Sequence, residues 1–299
     1  MTKLKNLKTD FAIFNIVAYS FLAILSLCCL LPFLLIITGS VTSERSILEN
    51  GYSIIPGEFS LQAYRTVFIV PESILRAYSV TIFITVIGTS AGLFLSAMTA
   101  YVLQKREFRF RNLFAFYFYF TSLFSGGLVP WYILMVRYLN MKNSILSLIL
   151  PLLFNVFYII IIRSFISTIP DSISESAKID GADDYRIFTR LVLPLSKPVL
   201  AAIGLFIALS YWNDWFNAML FIDRNNMIPL QYFLYKMLSQ ITMLRSLVGK
   251  VPQLATAVQP PEESFKMAMT VVTIGPILLL YPYLQKYFIK GIMIGAVKG

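Results

Sequence analysis

Apolar residues fall along this chain in runs too long for the core of a globular domain. Six such stretches lie at roughly 14–38, 77–103, 113–135, 144–163, 198–222 and 267–288, with shorter polar segments between them. A helix rises 1.5 Å per residue, so about 20 residues cross the ~30 Å hydrocarbon layer of a bilayer. Lipid offers no partner to free backbone N–H and C=O groups, so each stretch is expected to be helical. The pattern predicts an all-α, polytopic membrane protein with six transmembrane helices. The first run, from Phe14 to Ile37, exceeds the length of a signal-peptide core, and no small-x-small cleavage site follows it. It reads as a retained anchor. Residues 1–76 then form an N-terminal tail, the first helix and an outer loop. Residues 77–299 form a five-helix core.

Interruptions refine the pattern. Gly126-Gly127 before Pro130 predicts a break or kink in the third run, which either lines a path or lets helices approach closely. Pro276 and Pro282 predict kinks in the sixth. Two polar segments are long, 39–76 and 223–266, and the first carries a turn signal at Ile55-Pro56-Gly57. In the second, Pro229 opens an expected short helix through Leu244. Leu230, Phe233, Leu234, Met237, Leu238 and Ile241 make its apolar stripe.

Composition agrees with a bilayer: 58% of the 299 residues are apolar and 13% charged, where soluble proteins have about a quarter charged. The net charge of +10 would point to nucleic acid in a soluble protein. Here the basic residues sit between apolar runs, so lipid headgroups and topology account for them and no nucleic-acid partner is expected. Placing both termini in the cytoplasm puts 15 of the 25 Lys and Arg on that side. The run Lys105-Arg106-Glu107-Phe108-Arg109-Phe110-Arg111 is the clearest stop. The chain has no histidine, and its 2 cysteines, Cys28 and Cys29, are adjacent. That removes the commonest general base and metal ligand, and no zinc spacing exists. No G-x-x-x-x-G-K-[ST] motif occurs, and Gly249-Lys250 is followed by Val251. The chain is expected to be no enzyme, with no catalytic residue, metal or cofactor of its own.

The polar segment 170–198 reads as two short helices with a bend. Ser172 and Glu175 match a capping box, Gly181 ends the first helix, and Asp183 and Asp184 favour the start of the second. Pro194 and Pro198 mark entry into the fifth run. Ile173, Ala177, Ile179, Ile187, Phe188 and Leu191 form an apolar face that suits a groove on a partner.

The residues Glu175, Ser176, Ala177, Asp180, Gly181, Ala182, Phe188, Pro194 and Pro198, at this spacing, resemble the EAA loop of permease subunits of ATP-binding-cassette importers. Ser176 departs from the family's usual Ala. Arg137 to Pro151 looks like the family's outer turn. The tail from Tyr281-Pro282-Tyr283 to Gly299, with Tyr211-Trp212-Asn213-Asp214-Trp215 and Pro261 to Ala268, resembles the LplC/YtcP branch of MalG-like carbohydrate permeases. The resemblance implies a type I importer permease (MetI-like) fold in a cell membrane of a Gram-positive bacterium. It implies that 170–198 carries a coupling helix for an ATPase subunit, with Glu175 meeting a basic residue there. The implied partners are a second permease, two ATPase subunits that bind ATP and Mg, a lipoprotein-type extracellular binding protein, and an oligosaccharide.

Substrate contacts are read from the fifth run. Tyr211 and Trp215 are spaced to share a helix face, as are Asn213 and Asn217, with Trp212 and Asp214 between them. Rings stack on sugar C–H faces, and amides and carboxylates pair with hydroxyls. An aromatic belt at the membrane boundary fits the same residues. The EAA loop is shared by importers of amino acids and peptides, so the loop alone does not specify sugar. An ion-driven carrier is disfavoured by the absence of an internal repeat.

Overall fold

The structure, a computed structural model, describes residues 2–69, 71–250 and 263–278, which are helical apart from loops and one isolated β-bridge between Thr42 and Phe59. The chain divides into two compact units, Met1–Pro71 with Leu238–Gly275, and Glu72–Met237 with Pro276–Gly299.

The first unit opens with α1 (Thr2–Ser40), 39 residues and therefore about 58 Å long. It continues with α2 (Glu44–Asn50) and α3 (Gln62–Val67). Ser43 caps α2 by accepting from the Ser46 N–H at 3.2 Å.

The second unit is built on α4 (Pro71–Gln104), 34 residues. Then come α5 (Arg111–Leu123), α6 (Leu128–Ile133) with a π-turn at Leu134–Tyr138, α7 (Leu146–Leu153) and α8 (Val156–Ile166). The loop segment holds α9 (Asp171–Ile179), α10 (Asp184–Ile187), a π-turn at Phe188–Val192 and α11 (Leu193–Leu195). The fifth run holds α12 (Lys197–Trp212) and α13 (Phe216–Phe221). After a 3-10 turn at Asn225–Met227, α14 (Leu230–Lys250) begins in the second unit and ends in the first. The last described helix, α15, covers 263–278.

In the first unit the start of α15 is held by side chains from the outer loop. The Glu44 carboxylate accepts from the Glu263 and Ser264 N–H groups at 3.0 and 2.9 Å and from Ser264 Oγ at 2.8 Å. An anion at a helix N-terminus satisfies its free donors and complements its dipole.

The core of the second unit joins α4, α8 and α12. Ala97, Ala100 and Tyr101 meet Ile159, Ile162 and Ile166, and Val199, Ile203 and Ile207 close the cluster. Small residues let these helices approach. A Cβ on Gly88 would stand 2.3 Å from Tyr211 Cζ, and one on Gly92 would stand 2.9 Å from the Leu153 carbonyl oxygen.

Only Phe14–Ser40 and Pro71–Gln104 are single helices long and apolar enough to cross a bilayer among the described residues. The third and fourth expected spans are each broken, by 112° between Arg111–Leu123 and Leu128–Tyr138 and by 49° between Leu146–Leu153 and Val156–Ile166. The third break falls at the expected Gly126-Gly127, where Gly127 adopts φ +88°. The expected fifth span, 198–222, also parts between α12 and α13. Part of the sixth, with Pro282 and the tail, lies outside the described residues.

Each break is repaired by a polar side chain. Ser125 Oγ accepts from the Gly127 N–H at 3.2 Å, Asn155 Oδ1 from the Phe157 N–H at 2.9 Å, and Asp214 Oδ1 from the Asn217 N–H at 3.1 Å. Irregular backbone at membrane depth is tolerated where such partners exist. The helix expected from Pro229 to Leu244 is present and longer, with Leu230 fully buried. The Leu230 N–H donates to Thr81 Oγ1 on α4 at 2.8 Å.

Candidate functional site

The segment after α8 folds as two arms joined at a glycine. Gly181 has φ +78°, which L side chains rarely adopt. Its N–H donates to the Lys178 carbonyl at 3.0 Å, and the Ala182 N–H donates to the Ala177 carbonyl at 2.9 Å. These two bonds make a Schellman motif, and Ala177 and Ala182, at the positions of its usual apolar pair, both pack against the core. Asp183 caps the second arm by accepting from the Arg186 N–H at 3.0 Å.

The expected capping box does not form. Pro170 occupies the N-cap position of α9 and Asp171 starts the helix, two residues earlier than the box requires. Glu175 therefore lies a turn inside α9, exposed and without a partner among the described residues. Ser176 and Asp180 are also exposed, as is Pro194 in α11.

The expected apolar docking face is divided. Ile179 is 86% exposed and Ile173 is 37% exposed, whereas Ile187 and Phe188 are buried in the chain's own core. Phe188 stacks on Tyr101 of α4 at 5.3 Å between centroids and meets Phe94 edge-on at 5.9 Å. The second arm thus anchors the segment, and the first arm is presented.

Three consecutive residues after α4 hold both arms. Lys105 pairs with Asp184 at the start of α10. Arg106 lies 3.8 Å from Asp171 at the start of α9. Glu107 accepts from Lys178 at 2.6 and 2.8 Å near the end of α9. The signs suit the helix dipoles, because α9 has Asp171 at its first turn and Lys178 at its last. The Glu107 hydrogen bond holds the Lys178 ammonium above its usual range. Lys105 also sits 5.0 Å from the centre of the Tyr101 ring that carries Phe188. Together these residues border a cavity of about 200 Å³ that Glu175 lines. Read along the chain, Lys105-Arg106-Glu107 is only a topological stop. Its alternating sign against Asp171, Lys178 and Asp184 is the one signal of this clamp.

The fifth-run residues separate as well. Tyr211 and Trp212 are buried, and Tyr211 Oη donates to the Ile149 carbonyl at 2.7 Å. The helix ends at Trp212, so the expected pairing of Tyr211 with Trp215 and of Asn213 with Asn217 on helix faces does not hold. Asp214 is committed to Asn217, whose Nδ2 donates to Oδ2 at 2.9 Å. Asn213 and Trp215 are exposed.

Residues 88–294 match the model of the family described as "Binding-protein-dependent transport system inner membrane component". The chain belongs to that family. The permease is 40% identical to the polygalacturonan/rhamnogalacturonan transport system permease protein YtcP of Bacillus subtilis (strain 168), over 96% of this chain and 99% of that protein. It is 42% identical to Protein LplC of the same organism, over 96% and 95%. Among solved structures, it is similar to a bacterial ABC transporter involved in the import of the acidic polysaccharide alginate. The TM-score is 0.79 and the identity 33%, over 92% of this chain and 96% of that one. The permease has the MetI-like importer fold of its family and is a membrane-embedded, non-catalytic subunit. Hydrolysis of ATP resides in separate ATPase subunits of such transporters, which also use a partner permease and a solute-binding protein.

Proposed function

We propose that this chain forms half of the membrane path for an oligosaccharide in a type I ATP-binding-cassette importer, with α9 as its coupling helix. The chain crosses the membrane six times with both termini in the cytoplasm of a Gram-positive bacterium. A homologous permease completes the path. Two ATPase subunits bind ATP and Mg, and a lipoprotein-type binding protein delivers the sugar from outside. The relatives that carry polygalacturonan, rhamnogalacturonan and alginate in their names support a saccharide cargo.

The observation that carries this reading is the asymmetry of the loop: a second arm buried in the core and a first arm, held at its ends by the clamp, that presents Ile173, Glu175 and Ile179. Ser176, Ala177, Asp180, Gly181 and Ala182 shape that arm, and Phe188 and Pro194 seat it. An ATPase cleft that grips α9 would move the arms, and the clamp at 105–107 would pass the displacement to α4. ATP and the loaded binding protein bias a two-state equilibrium between outward- and inward-facing paths. Asn213, Asp214, Trp215 and Asn217 border the outer part of the path, over Tyr211 and Trp212.

Reconstitution with these partners tests the reading. ATP-coupled sugar uptake is expected in the wild type, and Gly181→Ala is expected to lose most of it. Alanine strains the positive φ by about 1–2 kcal/mol and has nothing to clash with, so the loss is one of loop shape. Undiminished uptake after deletion of 171–190 would refute the coupling role.

A further inference from the structure

At the end of the second unit that the proposed orientation places outside, aromatic rings and polar groups converge on a surface where Tyr232 packs on the core and its neighbours stay exposed. Trp215 and Tyr235 stack with centroids 4.7 Å apart and planes 22° apart. Tyr235 continues to Tyr232 at 6.3 Å and 20°. Trp215 and Tyr235 remain 38% and 42% exposed. On one side Gln231 Nε2 donates to Asn213 Oδ1 at 3.1 Å. On the other, the Lys236 ammonium lies 5.8 Å from the centre of the Tyr232 ring and donates to Asn225 Oδ1 at 3.4 Å.

Charge decides what this ladder suits. The nearby carboxylates are committed: Asp223 to Lys142 at 2.8 Å and Asp214 to Asn217. Lys236 makes no ion pair within 4 Å and only bears on Asp223 from a distance, so its contacts are the amide oxygen and the ring, and the exposed Arg224 side chain has no partner among the described residues. A surface in hydrocarbon would be apolar, yet this one carries Asn213, Arg224, Asn225, Gln231 and Lys236. The surface is therefore wet, aromatic and cationic.

We infer that the ladder is an outer subsite of the path and that it takes an acidic oligosaccharide, a chain bearing carboxylates. The rings stack on C–H faces, Asn213 and Gln231 pair with hydroxyls, and Lys236 and Arg224 pair with carboxylates. This deepens the permease reading and rests on it.

The test uses the complete transporter in ATP-loaded proteoliposomes, with a short oligogalacturonide as the probe. Comparing variants on one probe cancels the binding protein's own selectivity. At sub-saturating probe, Lys236→Gln is expected to lower uptake about tenfold, the loss of one charge-assisted hydrogen bond. Lys236→Arg is expected to stay within about twofold, because it keeps the charge. Co-purification with the ATPase subunits verifies assembly of each variant. Unchanged uptake in Lys236→Gln, and in Lys236→Gln combined with Arg224→Gln, overturns the acidic subsite and leaves the permease reading intact. Failure of Lys236→Arg to keep uptake overturns it too, since a purely structural role for the side chain would then explain the loss. A wild-type complex that hydrolyses ATP but imports no saccharide, acidic or neutral, overturns the reading beneath it.

Discussion

Two apolar residues of the loop, nine positions apart, have opposite fates. Ile179 is 86% exposed and Phe188 is 2% exposed. The physical cause is the bend at Gly181, which sends the two arms against different surroundings. Phe188→Ala is expected to cost about 3–5 kcal/mol, as for other aromatic truncations in packed cores. It should lower the melting temperature of the purified permease. Ile179→Asp should leave that temperature unchanged and abolish retention of the ATPase subunits during purification, because it places a charge on the presented face. Equal melting losses in both variants would contradict the division of the arms. Glu175 illustrates how a motif can mislead at this scale. Its match to a capping box is real in the sequence, but the helix already starts at Asp171, after Pro170 as N-cap, and that frees the carboxylate.

Between elements, the governing contact is the clamp from 105–107 to α9 and α10. Single exposed ion pairs stabilise little, and networks are where charge matters. Glu107→Lys is therefore expected to impair ATP-coupled uptake more than it impairs folding. Combining it with Lys178→Glu should restore uptake to within about twofold of wild type, as expected for residues in direct contact. No recovery in the double variant would show that the pair does not transmit movement. A second pair, Lys142 with Asp223, ties the outer turn to the segment after α13. Lys142 donates to Asp223 and holds its carboxyl below the usual range, while Asp223 holds the ammonium above its own. A depressed carboxyl stabilises the fold above the ordinary carboxylate range and loses that effect as pH falls through the folded value. A raised ammonium stabilises below the ordinary lysine range and loses its effect as pH rises through the folded value. The melting difference between wild type and Asp223→Asn should thus be constant near neutrality and close below about pH 4. A difference that persists into strong acid would count against the pair.

For the whole molecule the decisive matter is which side of the membrane each end of the second unit meets. The proposed orientation puts the basic run 105–111 and the loop 170–198 on the cytoplasmic side and α14 outside. With Cys28 and Cys29 replaced by Ala, Glu175→Cys should react with a membrane-impermeant thiol reagent only in inverted vesicles. Gln240→Cys should react only in intact cells. Labelling of position 175 from outside would reverse the orientation and remove the transport reading with it.

Hydrophobic run length and the placement of basic residues were enough to establish a helical membrane protein, because lipid leaves the backbone no alternative. Local chemistry at Gly181 and Asp183 was enough for the bent loop, and the break at Gly126-Gly127 was visible for the same reason. Tertiary structure decided the rest. It broke the fourth and fifth runs at Asn155 and Asp214, whose side chains repair the backbone they interrupt. It buried Tyr211 against Gly88. It also set Lys105, Arg106 and Glu107 against acids and a lysine more than 60 residues away, and the ring ladder of α14 against Trp215. Run length and turn chemistry act within a few residues. Which helix faces meet depends on packing between distant segments, and no local pattern carries that information.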